Sequence, residues 1–172
     1  MKIVTTQIRG LLERIADEQE ENIDETARLL AQALVGEGRI MIASFDEMEA
    51  VTATALHGAE PLYGAIRYTA ELLPTKADRV WILARNANHP DALALARQLA
   101  DQFIPFAAVT ASVADESNEL AELAFTYIST GLKKGLLPGP TGERIVQPHA
   151  LATLFIYEAV KLSLDEMLAD ED

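Results

Sequence analysis

Apolar positions along this chain fall into distinct spacings, and each spacing predicts an element. From residue 3 to 34 they recur at helical intervals. Ile8, Leu11, Leu12 and Ile15 make one stripe, and Ile23, Ala27, Leu30 and Leu34 make a second. The acidic run Asp17–Glu21 between the stripes reads as a solvated face or a bend, and Gly36 and Gly38 end the helix. Short unbroken apolar runs follow at Arg39–Ser44, Arg79–Ala84, Pro105–Val109 and Phe125–Ser129, with a weaker one at Ala65–Thr69. Runs of this length bounded by turn residues predict strands buried on both faces. Helical spacing returns between them, from the turn Phe45-Asp46-Glu47 to about Leu56, over Pro90–Gln102, and over Asp115–Ala124. The segment His57–Pro61 is less regular. A last helix is predicted over Pro148–Leu168, with Leu151, Leu154, Phe155, Ala159, Leu162 and Met167 on or near one side, and residues 170–172 are expected to fray.

Strands alternating with helices predict an α/β fold, a three-layer doubly wound sheet of about five parallel strands, flanked by N-terminal and C-terminal helices. One domain is expected over 1–172, with a helical arm at 1–36, a sheet core at 37–147 and a C-terminal helix at 148–172. Its centre is the stretch Asp78–Thr110, a strand, polar loop, helix and strand in succession. Ligands in such sheets sit beyond the carboxyl ends of the strands, so the loop Arg85–Pro90 is the first candidate for a binding site. The long segment Gly131–Gln147, with Lys133, Lys134 and Arg144, is expected to be a functional or mobile loop.

Composition narrows the chemistry. The 172 residues carry a net charge of −13, which argues against nucleic acid as a partner in the absence of a basic patch. A small anion stays compatible, because a few donors at a helix N-terminus suffice to hold one. Cysteine is absent, which removes disulfides, thiol catalysis and zinc-thiolate sites. No apolar run matches a membrane span, and the first residues lack the pattern of a signal peptide, so a cytoplasmic protein with no membrane contact is expected. Dinucleotide, P-loop, hydrolase-elbow and His-Glu-x-x-His motifs are all missing.

The layout resembles the sugar isomerase (SIS) domain, in particular the small phosphoheptose isomerases, over nearly the whole chain, which implies a five-stranded parallel sheet of flavodoxin-like type. The central unit carries the resemblance. Where that family has a Ser-x-Ser-Gly-Asn-Ser-Pro type loop after the third strand, this chain reads Ala84-Arg85-Asn86-Ala87-Asn88-His89-Pro90, followed by Ala-Leu-Ala-Leu-Ala. Val109-Thr110 and Asn118–Ala124 match the stretch before the family's last strand. Both family serines are replaced, by Ala84 and Asn86, and the family glycine by Ala87. The first loop, Gly-Asn-Gly-Gly-Ser-like in the family, is Ser44-Phe45-Asp46-Glu47.

The resemblance implies a phosphosugar or similar anionic carbohydrate ligand held by Ser44, Arg85, Asn86, Asn88 and Thr110, with Arg85 as a charged fork. It implies His57, Glu60 and His149 as acid/base candidates, and His57, Glu60, Gln147 and His149 as a set for a divalent metal such as zinc, although nothing in the sequence requires one. It also implies a homodimer or homotetramer, which the long apolar stripes of the first and last helices favour independently. Two functions stay open. One is a binding module that recognises a phosphosugar without turning it over. The other is a phosphoheptose-isomerase-like enzyme with a rearranged acid/base set.

Overall fold

Five parallel strands in the order β2-β1-β3-β4-β5 form the centre of the molecule. They are β1 (Ile40–Ser44), β2 (Ala65–Arg67), β3 (Arg79–Leu83), β4 (Phe106–Thr110) and β5 (Thr126–Ser129). The helices are α1 (Lys2–Val35), α2 (Glu49–His57), α3 (Pro90–Asp101), α4 (Glu119–Leu123) and α5 (His149–Ala169). This computed structural model describes residues 1–169, so the expectation for 170–172 lies outside the described residues.

The strands sort their side chains between two cores with period two. Ile40, Ile42, Trp81, Leu83, Ala107, Val109 and Ile128 face a layer made by α1, α2 and α5. Met41, Ala43, Val80, Ile82, Phe106, Ala108 and Tyr127 face α3 and α4. The result is the three-layer α/β sandwich that the alternating pattern predicts. Sequence order places β1 and β3 side by side at the point where connections leave in opposite directions along the sheet.

Helix α1 runs unbroken for 34 residues, about 50 Å at helical rise. The acidic run Asp17–Glu21 therefore makes no bend; its carboxylates lie on the exposed face. Thr26 of α1 meets Thr126 of β5 through a buried 2.8 Å hydroxyl pair. At the helix end Gly36 closes the last turn on Gln32 O, and Gly38 is needed for space, since a Cβ there would lie 1.9 Å from Ala77 O.

Three expectations are corrected. The last helix buries Ala152, Thr153, Ile156, Tyr157, Val160 and Leu164, whereas Leu151 and Leu162 are exposed and Leu154, Phe155, Ala159 and Met167 are half-buried. The helix is apolar on nearly every side, so its sequence does not mark the face that packs. The segment 131–147 is not all loop: Leu137–Pro138 (β6) and Arg144–Ile145 (β7) pair as a small antiparallel hairpin. Arg144 fastens it by donating to Gly135 O at 2.9 Å and Leu136 O at 2.8 Å. The helix expected over 115–124 is confined to α4, because Asp115–Ser117 forms a turn, with Asn118 N–H donating to Asp115 O.

Candidate functional site

The carboxyl edge of the sheet ends in four polar loops, and the space between three of them is a cleft of about 630 Å³. The β3 loop supplies Asn86, Ala87 and Asn88. The β4 loop supplies Ser112, Asp115, Ser117 and Asn118, and the segment after β5 supplies Leu132 and Lys133. Asn86 and Asn88 are exposed, and their side-chain amides make no hydrogen bond among the described residues. Both can therefore offer a donor and an acceptor to a ligand.

The cleft's floor is fixed by a buried phenol. Tyr127 Oη lies 2.7 Å from Ser112 O, 2.9 Å from Asn118 Nδ2 and 2.5 Å from Thr110 Oγ1. Its one proton goes to the Ser112 carbonyl, so it accepts from the Asn118 amide and the Thr110 hydroxyl. Asn118 also donates to Val113 O at 2.8 Å and, through Oδ1, caps α4 by accepting from Ala121 N–H at 2.9 Å. Ser112 Oγ in turn accepts from Ala87 N–H at 3.1 Å, which ties the β4 loop to the β3 loop. Strand β5 thus sets the shape of both loops through one hydroxyl.

The expected binding residues divide between lining and support. Asn86 and Asn88 line the cleft. Thr110 is buried beneath it, with its hydroxyl engaged by Tyr127 and Ser112 N–H, so it supports the β4 loop. Ser44, at the end of β1, shares its hydroxyl with Thr52 at 2.6 Å and donates to Glu49 Oε1 at 3.0 Å. Glu49 also pairs with Arg67. Arg85 turns away from the cleft toward the β1 loop, where Nε and Nη2 donate to Glu47 Oε1 and Oε2 at 2.8 and 2.6 Å. That guanidinium holds the Glu47 carboxyl below the usual carboxylate range.

The acid/base and metal sets are not assembled within one chain. β2 starts beside the start of β1, with Ile40 N–H donating to Gly64 O, so the segment from His57 to Gly64 lies at the amino edge of the sheet. His57 closes α2 there and is exposed, as is Glu60. His149 begins α5 at the opposite edge, close enough to Glu47 and Arg85 to feel both charges. Burial is the main reason its imidazole titrates below the ordinary histidine range. Gln147 precedes it on the surface, with Gln147 O accepting from His149 N–H at 2.9 Å. Glu60 instead faces Tyr157 and Lys161, two turns and more along α5 from His149. Among the described residues no group of three or more His, Asp or Glu is placed to hold a metal ion. The reason is topological: a helix that leaves the carboxyl end of β1 reaches the amino edge by its last residue.

His89 caps α3 by accepting from Ala92 N–H at Nδ1 (3.4 Å) and packs against Phe45, the rings tilted by 36° with centroids 4.7 Å apart. Trp81 is a core residue, fully buried against Tyr157. Sequence reasoning missed Ser112, Ser117 and Asn118 as cleft residues and Glu47 as the partner of Arg85. The signal was present in the polar residues Ser112 and Asp115–Asn118, which follow an apolar strand as the loop 85–90 does. Among the described residues no helix is long and apolar enough to cross a membrane.

Comparison with known proteins adds the following. Over 172 residues the chain is 28% identical to the uncharacterized protein YwjG of Bacillus subtilis, covering 99% of this chain and 98% of that one. Its fold is shared with the Methanococcus jannaschii protein MJ1247, whose structure infers a 3-hexulose-6-phosphate isomerase function; TM-score is 0.69 at 14% identity, over 96% of this chain and 89% of that one. It is shared also with the Vibrio vulnificus NanR protein complexed with ManNAc-6P, with TM-score 0.67 at 13% identity, over 98% of this chain and 64% of that one. Those structural overlaps show the fold, which is of the sugar-isomerase type. A family model, the domain of unknown function DUF2529, matches residues 1–168. The chain therefore belongs to the DUF2529 family and carries it on a sugar-isomerase-type fold.

Proposed function

We propose that this chain binds a phosphosugar or a related anionic carbohydrate derivative in the cleft above β3, β4 and β5, without turning it over. The observation that carries this reading is the cleft itself. It lies where parallel sheets take ligands and presents the free amides of Asn86 and Asn88, the hydroxyls of Ser112 and Ser117, and the ammonium of Lys133. Amides and hydroxyls suit the many hydroxyl groups of a sugar, and Lys133 supplies a countercharge for an anionic end. The acid Glu119 at the rim is neutralised by Arg97 through bonds of 2.6 Å, and Asp115 is occupied by Ser117 N–H and Oγ. The Vibrio vulnificus fold neighbour is complexed with ManNAc-6P, a ligand of this class, which supports the reading.

A binder is favoured over an enzyme because His57 and Glu60 sit at the edge away from the cleft. A second reading, a phosphoheptose-isomerase-like activity, is supported by His149, a buried imidazole on the ligand side beside Glu47. It would need a second copy of the chain to bring His57 and Glu60 to that imidazole. Self-association is itself proposed, from the exposed Leu151 and Leu162 of α5 and Ile3 of α1. A thermal-shift series with pentose, hexose and heptose phosphates tests the binding reading: a ligand of the native state raises the melting temperature by mass action. No shift with any of them at millimolar concentration overturns both readings. Isomerisation of a ligand that binds overturns the first in favour of the second.

A further inference from the structure

In a doubly wound sheet with the order found here, the crevice beyond the carboxyl ends of β1 and β3 is the topological position for a ligand. In this molecule that crevice is bridged, and the open cleft lies one strand further along. Three consecutive residues of the β1 loop make the bridge. The Phe45 ring packs on the His89 ring at 4.7 Å. The Asp46 carboxylate lies 3.5 Å from His89 Nε2. Glu47 takes both arms of the Arg85 guanidinium at 2.6 and 2.8 Å. All of the partners belong to the β3 loop.

We propose that Phe45–Glu47 is a clasp over this crevice, and that the Glu47 carboxylate stands in for the anionic group of a ligand at Arg85. The proposal deepens the binding reading above and rests on it. A guanidinium receives a carboxylate and a phosphate through the same two-pronged geometry, so one can replace the other without rebuilding the loop. Arg85 adjoins Asn86, which lines the same cleft as Lys133, so its release would add a second cation at the margin of that cleft. The exchange is inexpensive, because the pair is part-exposed, with Arg85 at 46% and Glu47 at 32%. Asp46 turns the loop with φ of +53°, a left-handed conformation that aspartate adopts more readily than most residues. Behind the clasp the ring of His149 is buried and makes no hydrogen bond among the described residues, so an opened crevice would have a polar back wall.

The test is calorimetric titration of the full chain with inorganic phosphate and, separately, glucose 6-phosphate. It compares wild type, Glu47→Gln, Arg85→Gln and the double variant, with the exposed Glu122→Gln as a control of equal charge change. Removing a competitor held by a part-exposed ion pair is expected to tighten binding about fivefold in Glu47→Gln. The gain should vanish in the double variant and be absent in Glu122→Gln. Equal binding by wild type and Glu47→Gln overturns the clasp and leaves the binding reading standing. A gain that survives loss of Arg85, or that Glu122→Gln reproduces, also overturns it, because general charge would then be the cause. Binding of either probe by none of the proteins overturns the clasp together with the reading beneath it.

Discussion

The two edges of the sheet use their polar residues in opposite ways. At the amino edge they are spent on one another. Asp78 is buried before β3 and accepts from Arg39 N–H at 2.9 Å, Thr75 N–H at 2.8 Å and Thr75 Oγ1 at 3.0 Å. Both arms of the Arg39 guanidinium also reach it, at 3.0 and 2.9 Å. Burial opposes the charge, but these donors outweigh it and hold the carboxyl far below the usual range. At the carboxyl edge, amides of the β3 loop stay free and the charges are held in part-exposed pairs. A scaffold that closes one edge with a saturated knot can leave the other edge under-satisfied, ready for a ligand.

The largest expected effect breaks the knot. Asp78→Ala removes the shared acceptor and leaves the N–H groups of Arg39 and Thr75 without it, with an expected stability loss of about 3 kcal/mol by urea unfolding. If the edges are independent, ligand affinity of the folded fraction stays at wild-type level; a loss of affinity would show that the edges communicate. The depressed carboxyl also has a sign in pH. Its stabilisation is present above the unfolded-state value near 4 and is lost as pH falls through the lower folded value.

Next in size is a group between the edges. Tyr157 of α5 is buried under the sheet with no hydrogen-bond partner for its hydroxyl among the described residues, and burial pushes its phenol up to about 12. A raised folded value means that the stabilisation is full below the unfolded value near 10 and lost as pH rises to 12. About 2.5 kcal/mol is expected to disappear over that window. Tyr157→Phe should remove that loss and cost little at neutral pH, because it deletes an unpaired group. An unchanged alkaline slope in the variant would assign the loss elsewhere.

A smaller effect belongs to the cleft. Tyr127→Phe removes the hydroxyl shared by Thr110, Ser112 and Asn118, for an expected stability loss of about 1–2 kcal/mol. Ligand affinity should fall with it, since the β4 loop loses its anchor. Lost stability with intact affinity would mean that the loop holds its shape without the phenol.

These effects also mark what was legible in the amino acids. The sheet was, because β3 and β4 are continuous apolar runs that fit only buried strands. Asn86 and Asn88 were, because a polar loop at the carboxyl end of such a strand is the default ligand position. The packing face of α5 was not: Leu151 and Leu162 are as apolar as Ile156 and Leu164, and only tertiary packing distinguishes them. Thr110 was placed at the right strand end but in the wrong layer, because alternation in a fully buried strand carries no polar mark. Arg85 was read as a free fork, since its partner Glu47 lies 38 residues away on a loop whose contacts no local pattern encodes.

The smallest expected effect concerns His57, and it discriminates most sharply between the edges. Its side chain is exposed at the end of α2, on the edge that carries the Asp78 knot. A surface substitution of this kind changes stability by about 0.5 kcal/mol or less. His57→Ala should therefore leave both the unfolding midpoint and sugar-phosphate affinity at wild-type values, while His149→Ala, which opens a void behind the Glu47–Arg85 pair, alters both. A ligand or activity defect in His57→Ala would have one structural route, contact with the carboxyl edge of another copy, because within one chain the sheet stands between them. Repeating the measurement across a dilution series would expose that route: a defect carried by a second copy fades as the oligomer dissociates, and a defect within the chain does not.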